Sequence, residues 1–370
     1  MSLLIEDFPP LPFGVKNGVG GVIGNTLYAG LGSAGKRLFF YDLDCPEHGW
    51  QSAAEFPGVA RNDAAYTVSN DRLYVFSGAG YLSTEQPPVV LDDGYVYDPK
   101  IDKWDKLTTQ TPVGFLGASA CELEPGRLVF FGGYCKETFD TFLAAISQVD
   151  PKTEQEKHRA MLTEFMSRPI EAYGWNQDIW QFETITQKWS IVADNIFPAN
   201  CGAGIVRQGN CITLIEGEVK PGLRSLETKR FEFQSPHSVS STKLPSIQQA
   251  ANNHEGLAGH FCGTVNNQII AAGGAFFIGS QRNFLKGQWY SHQGLTKHYN
   301  NQVWRFDGNR WHQATSIPEG VAYGVSISTS NKMYILGGEG SKGQALSSCY
   351  ALTLVQCSPY KTTPIKKGSA

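Results

Sequence analysis

The chain contains no apolar run of about 18 residues, the length that would mark a membrane-spanning helix. It has no block of clustered Lys/Arg either, and its 31 basic against 34 acidic residues leave a net charge of −3. Without a basic stripe to track phosphates, nucleic acid is excluded as the expected partner. Cysteine is present, but as eight scattered residues with no C-x-x-C pair and no zinc-like Cys/His spacing, so no structural metal site is expected. Most of these thiols read as small buried residues of a reducing compartment, although the even count keeps disulfides open. No basic segment followed by an apolar stretch opens the chain, so it reads as leaderless. The first residues, Met1-Ser2-Leu3, equally fit a start that replaces a removed leader.

What the chain has in quantity is glycine, 40 residues, and aromatics, 12%. They recur in register. A turn pair, a short apolar strand and a terminal glycine appear first as Gly24-Asn25 before Leu27-Tyr28-Ala29-Gly30-Leu31-Gly32, then as Asn70-Asp71 before Leu73-Tyr74-Val75-Phe76-Ser77-Gly78. Further copies begin at Pro125-Gly126, Gly209-Asn210, Asn266-Asn267 and Ser330-Asn331, with second turn residues 46, 55, 84, 57 and 64 positions apart. Most copies add an aromatic-acid step and a tryptophan: Tyr41-Asp42 with Trp50, Tyr97-Asp98 with Trp104, Phe182-Glu183 with Trp189, Phe306-Asp307 with Trp311. The fourth and sixth have only Phe231 and Tyr350 to fill the aromatic slot.

This order resembles the kelch repeat and predicts one all-β domain over 1–370, a six-bladed kelch-type β-propeller. After the sixth glycine pair a single outer strand, about Ser348 to Leu354, is evident. The N-terminal segment, roughly Leu4 to Pro12, is therefore expected to complete that blade and close the ring, with 355–370 as a tail.

In an antiparallel blade the start of strand one and the end of strand two share one face of the disc. The longest insertions hang there. A helical insertion over 136–174 in blade three is predicted from Phe139, Phe142, Leu143 and Ile146 at helical spacing, followed by a second helix with Asp150 as N-cap and Pro151 at its first position. Blade five carries a long loop, 276–301, rich in Arg282, Asn283, Tyr290 and His292. Blade four leaves strand two as Gly217-Glu218-Val219-Lys220-Pro221-Gly222-Leu223-Arg224, a carboxylate and a guanidinium flanking a Pro-Gly turn. A surface salt bridge would read the same way.

Those segments, with Tyr28-Ala29-Gly30-Leu31-Gly32-Ser33-Ala34-Gly35 and Ala322-Tyr323-Gly324-Val325-Ser326, resemble the bacterial N-acetylneuraminate epimerases, or sialic acid mutarotases, over about Phe13 to Thr353. The resemblance implies exchange of the α and β anomers of a sialic acid by ring opening, with no metal or redox cofactor. It makes Glu218 the proton acceptor and Arg224 its partner, with Arg61, Arg282, Asn283, Tyr290, His292 and Tyr323 as substrate contacts. The general acid is left open among His292, Tyr290 and a water. Val321 and Gln281-Arg282 stand where the resemblance leads one to expect an arginine and an Arg-Glu pair. By resemblance the compartment is the periplasm, and by cysteine usage the cytoplasm. A kelch carbohydrate- or protein-binding module is the competing expectation. A sialidase is disfavoured by the lack of Asp-box motifs, and a copper radical oxidase by the lack of a Tyr/Cys/His set.

Overall fold

The turn pairs become hairpins between the first two strands of each blade. Asn70-Asp71 and Asn266-Asn267 both hold two consecutive positive φ angles, the requirement of a type I′ turn whose twist matches the strands it joins. The computed structural model describes residues 2–235, 238–247 and 254–355. Within these, six four-stranded antiparallel sheets follow one another along the chain as blades one (19–52), two (65–106), three (119–194), four (204–244), five (261–316) and six (325–355 with 2–8).

Aromatic and tryptophan face each other on the two outer strands in register: Tyr41 opposite Trp50, Tyr97 opposite Trp104, Phe182 opposite Trp189 and Phe306 opposite Trp311. Ring centroids in these pairs lie 4.7–5.4 Å apart. Such contacts add roughly 0.5–1.5 kcal/mol each beyond area burial. In blade four Phe231 meets Ser241, and in blade six Tyr350 meets Asp7. The N-terminal strand is Ser2–Phe8, paired along its length with Ala345–Val355, so the two chain ends share one blade. The expected tail beyond Val355 lies outside the described residues.

The ring is closed a second time at its axis. Asn17, Asp63, Gly117, Gly202, Gly259 and Tyr323, one per blade just before strand one, all have φ between 52° and 71°. Each backbone N–H donates to the carbonyl of the preceding member: Asp63 to Asn17, Gly117 to Asp63, Gly202 to Gly117, Gly259 to Gly202, Tyr323 to Gly259 and Asn17 to Tyr323, at 2.6–2.9 Å. A circle of six hydrogen bonds thus ties every blade to the next. Left-handed backbone is costly for a side-chain-bearing residue, least so for Asn and Asp, so three of these positions are glycine.

The glycines that end strand two, three of them in diglycines and one, Gly217, after Glu216, serve the same stitching. Gly133, Gly217, Gly274 and Gly338 donate N–H to Asn200, Leu257, Val321 and Val15 of the next blade. Both members of each diglycine have positive φ, as at Gly132 (69°) and Gly133 (103°), and a Cβ on Gly132 would lie 1.8 Å from the Asn200 oxygen. Crowding and backbone conformation both demand glycine there.

Blade three carries helices α1 (Lys136–Ser147) and α2 (Gln155–Met166). The second starts later than Asp150 and Pro151 predict. The Asp150 carboxylate instead accepts hydrogen bonds from Lys152 N–H and the Thr153 hydroxyl, closing a separate turn before the helix. Phe142 of α1 stacks on Phe165 of α2 at 3.7 Å, packing the helices together.

Candidate active site

The six-residue circle surrounds the mouth of an axial cavity of about 430 Å³. The residue before each member pairs with the one that leaves strand two of the same blade: Lys16 with Ser33, Asn62 with Ala79, Leu116 with Tyr134, Cys201 with Glu218, Ala258 with Ala275, Ala322 with Glu339. Six equivalent positions therefore ring the mouth. Blades two and five fill theirs with alanine, while blade four presents Glu218 and blade six Glu339.

Glu218 opens a two-stranded arm, Glu218–Lys220 paired with Leu223–Arg224, and stands opposite Arg224 in its register. Pro221 and Gly222 (φ 79°) meet the demands of a type II turn between them. Arg224 Nη1 lies 3.0 Å from Glu218 Oε1, a charge contact off the N–H axis. The guanidinium is held from every side: Nε donates to the Ala275 carbonyl at 3.1 Å, Nη2 to the Tyr323 hydroxyl at 3.4 Å, and its plane sits 4.8 Å from the Phe277 ring centroid. Only 2% of Arg224 is exposed, whereas the Glu218 side chain keeps 18%. The acid is thus presented by a buried base. Tyr323 completes the group from the circle, its ring lying over Gly259 and its hydroxyl pushed up to about 12, chiefly by burial.

The loop of blade five folds over this arm. Gln281 Nε2 donates to the Arg224 carbonyl at 2.7 Å, and Glu255 accepts hydrogen bonds from Gly279 N–H, the Ser280 hydroxyl and Gln281 N–H at the start of α3 (Ser280–Leu285). Lys220, fully buried, donates to the Arg168 carbonyl at 2.5 Å and the Trp289 carbonyl at 2.8 Å, joining the helical insertion to the blade-five loop. With no carboxylate beside it, burial lowers its ammonium to about 8. Lys220→Met is expected to free the two roof segments: higher KM with little change in kcat, and faster amide exchange over 168–174 and 286–292, checked by steady-state kinetics and hydrogen exchange.

The other expected contacts divide. His292 packs against Phe277 and Tyr290, both at 4.9 Å, and its ring lies where a Cβ on Gly222 would come within 1.7 Å of Nδ1. Burial, with Arg224 and Lys220 nearby, lowers its pKa to about 4, so the imidazole is neutral at pH 7 and holds no imidazolium proton to give. Asn283 is used within the loop, donating to the Ser291 carbonyl at 2.9 Å. Tyr290 is half-buried against His292, and Arg282 is exposed on α3.

Arg61 is a correction. Its residue position, two before the circle, is the slot that Val15, Phe115, Leu257 and Val321 fill with buried apolar side chains between blades. The Arg61 side chain occupies that slot with no exposure, donating to the Val59 and Ser77 carbonyls, paired with Asp93 at 2.9 Å, and lying over Phe56 and Tyr95. A guanidinium so enclosed ties blade two to the connection that leads into it and presents no surface to solvent, although its Nη2 has no hydrogen-bond partner among the described residues.

The family model for N-acetylneuraminate epimerase matches residues 8–356. The chain is 38% identical to an N-acetylneuraminate epimerase of Vibrio vulnificus, over 96% of this chain and 92% of that one. The chain belongs to the N-acetylneuraminate epimerase family. It is also 52% identical to a kelch domain-containing protein of Vibrio cholerae serotype O1, over 96% of this chain and all of that one. The solved structure of YjhT superposes with a TM-score of 0.86 at 30% identity, covering 92% of this chain and 95% of that one.

Around the Glu218–Arg224 pair, this epimerase-family chain gathers charges that the repeat pattern did not single out. Glu339 joins Lys16 at 2.8 Å and is bonded by Lys297 and Tyr299. Burial alone would raise Glu339, but those hydrogen bonds outweigh it and hold the carboxyl at about 2. Two ammonium groups then share one carboxylate beside Tyr323, whose ring lies 5.3 Å from Lys297 Nζ. The surplus positive charge suits an anionic ligand. Among the described residues a single group, Cys45, Glu47 and His48, brings metal-type ligand atoms together; it sits in the turn between strands three and four, at the opposite face of the disc. All seven described cysteines are unpaired, and Cys201, Cys262 and Cys349 are buried.

Proposed function

We propose that this protein interconverts α- and β-N-acetylneuraminate through the open-chain keto form. The observation that carries the reading is a partly exposed carboxylate, Glu218, 3.0 Å from an arginine buried on all sides at the mouth of the propeller axis. Ring opening at an anomeric carbon needs a base for the hydroxyl proton and an acid for the ring oxygen, with the roles exchanged on closure. Glu218 takes the hydroxyl proton. A guanidinium keeps its proton at neutral pH, so Arg224 orients Glu218 and faces the negative charge that develops on the departing or incoming oxygen, or the substrate carboxylate. Lys16 and Lys297 supply further positive charge for that carboxylate. Every group named is a side chain of the protein, and no metal or redox cofactor enters the scheme.

Proton NMR of freshly released α-N-acetylneuraminate tests the reading. The protein is expected to hasten approach to the anomeric equilibrium well above the spontaneous rate. An unchanged rate with measurable sugar binding would replace the enzyme with a binding module. As part of the same proposal we place the protein in the periplasm, on the family resemblance; fractionation of native cells that leaves it in the cytoplasm would overturn that placement.

A further inference from the structure

We propose that Asp63 is the general acid of this site, delivering a proton to the ring oxygen while Glu218 accepts the proton of the anomeric hydroxyl. The inference rests on the epimerase reading above.

The argument is geometric first. Asp63 is blade two's member of the axial circle, locked by its own N–H to Asn17 (2.9 Å) and by its carbonyl to Gly117 (2.8 Å). Its φ of 52° lies in the left-handed region, which aspartate tolerates better than most side-chain-bearing residues. Three of the six circle positions are glycine, so an aspartate here is not required by the ring itself. The half-buried carboxyl lines the cavity mouth and has no hydrogen bond or ion pair among the described residues. Two steps along the circle lies Gly202, whose neighbour Cys201 pairs backbone to backbone with Glu218. Two carboxyl groups therefore face one mouth from blades two and four, with blade three between them.

Electrostatics divides their roles. Burial raises Asp63 to about 7, the negative charges of Glu218 and Glu339 add to the rise, and Lys16 opposes it. Tyr134, Cys201 and Tyr323 also lie close enough to feel its charge, and burial keeps all three protonated at neutral pH. A carboxyl poised near neutrality can both give and take a proton at the working pH. The step balances without a co-reactant. The anomeric O–H pair becomes the carbonyl bond as Glu218 takes the proton. The bond from anomeric carbon to ring oxygen breaks, and that oxygen receives the Asp63 proton. Closure on the other face returns both protons.

The test compares wild type, Asp63→Asn and Glu218→Gln by anomer NMR between pH 5 and 9, after subtracting the spontaneous rate. Asparagine tolerates the same backbone conformation. Wild-type rate is expected to fall as pH rises through about 7, because the acid must be protonated. Asp63→Asn should lose about 10²–10⁴-fold, and its residual rate should lack that alkaline fall. The variant is needed to assign the limb, since Lys220 titrates nearby at about 8. Wild-type exchange that stays flat to pH 9, or a folded Asp63→Asn protein with wild-type rate and profile, would overturn the assignment even if Glu218→Gln is inactive. A wild type without any acceleration would instead remove the epimerase reading.

Discussion

Glu218→Gln is expected to slow catalysed anomer exchange by about 10²–10⁴-fold while leaving the fold in place. The amide keeps the size of the carboxylate and can still lie against Arg224, so the arm from Glu218 to Arg224 has no steric reason to rearrange. What disappears is the acceptor for the hydroxyl proton. Neither Glu339 nor the exposed acids of the disc can replace it: Glu339 is held at about 2 by Lys16, Lys297 and Tyr299, too weak a base for the task. Anomer NMR gives the rate, and circular dichroism with thermal melting reports the fold. A Glu218→Gln protein that melts like wild type and equilibrates the anomers at wild-type rate would take this residue out of the mechanism.

Arg224→Ala is expected to cost more widely. The substitution removes the partner of Glu218, the donor to Tyr323 and to the Ala275 carbonyl, and the cation over Phe277 at once. Loss of a desolvated charge contact is worth about 2–5 kcal/mol, roughly 30- to 5,000-fold in kcat/KM. The thermal midpoint should fall too, because Arg224 bridges blades four, five and six, and its removal leaves a cavity and takes from the Ala275 carbonyl one of its two donors, the other being the Ala258 N–H. Arg224→Lys distinguishes charge from shape: a single ammonium cannot reproduce the fork that reaches Ala275, Tyr323 and Glu218 together, so most of the loss should remain. Recovery of wild-type kcat/KM by lysine would show that charge alone is required.

Residues close in the chain and residues close only in space had different fates in the reading. The number of blades, their order and the shared terminal blade were legible, because each blade is a local unit whose turn, strand and glycine lie within ten residues and recur in register. Glu218 and Arg224 were legible for the same reason: one short arm holds both, and a Pro-Gly turn fixes their approach. Arg61 was read as a substrate contact since nothing in its own segment distinguishes an arginine facing a pocket from one filling a buried slot; Ser77, Tyr95 and Asp93, which enclose it, come from blade two, and Phe56 from the connection before it.

Asp63, Lys16, Lys297 and Glu339 escaped notice altogether. They come from blades one, two, five and six, separated by up to hundreds of residues, and meet because six equivalent backbone positions close into one circle. The repeat does leave a trace, since each circle position precedes strand one by a fixed short distance, but a positive φ at aspartate or tyrosine has no signature in composition. The sequence by itself determined the propeller and the acid–arginine arm, through short-range periodicity and turn chemistry. Only the tertiary structure decided which side chains share the mouth and how burial sets their protonation. Both depend on the closure of the ring, which brings distant residues into one low-dielectric space.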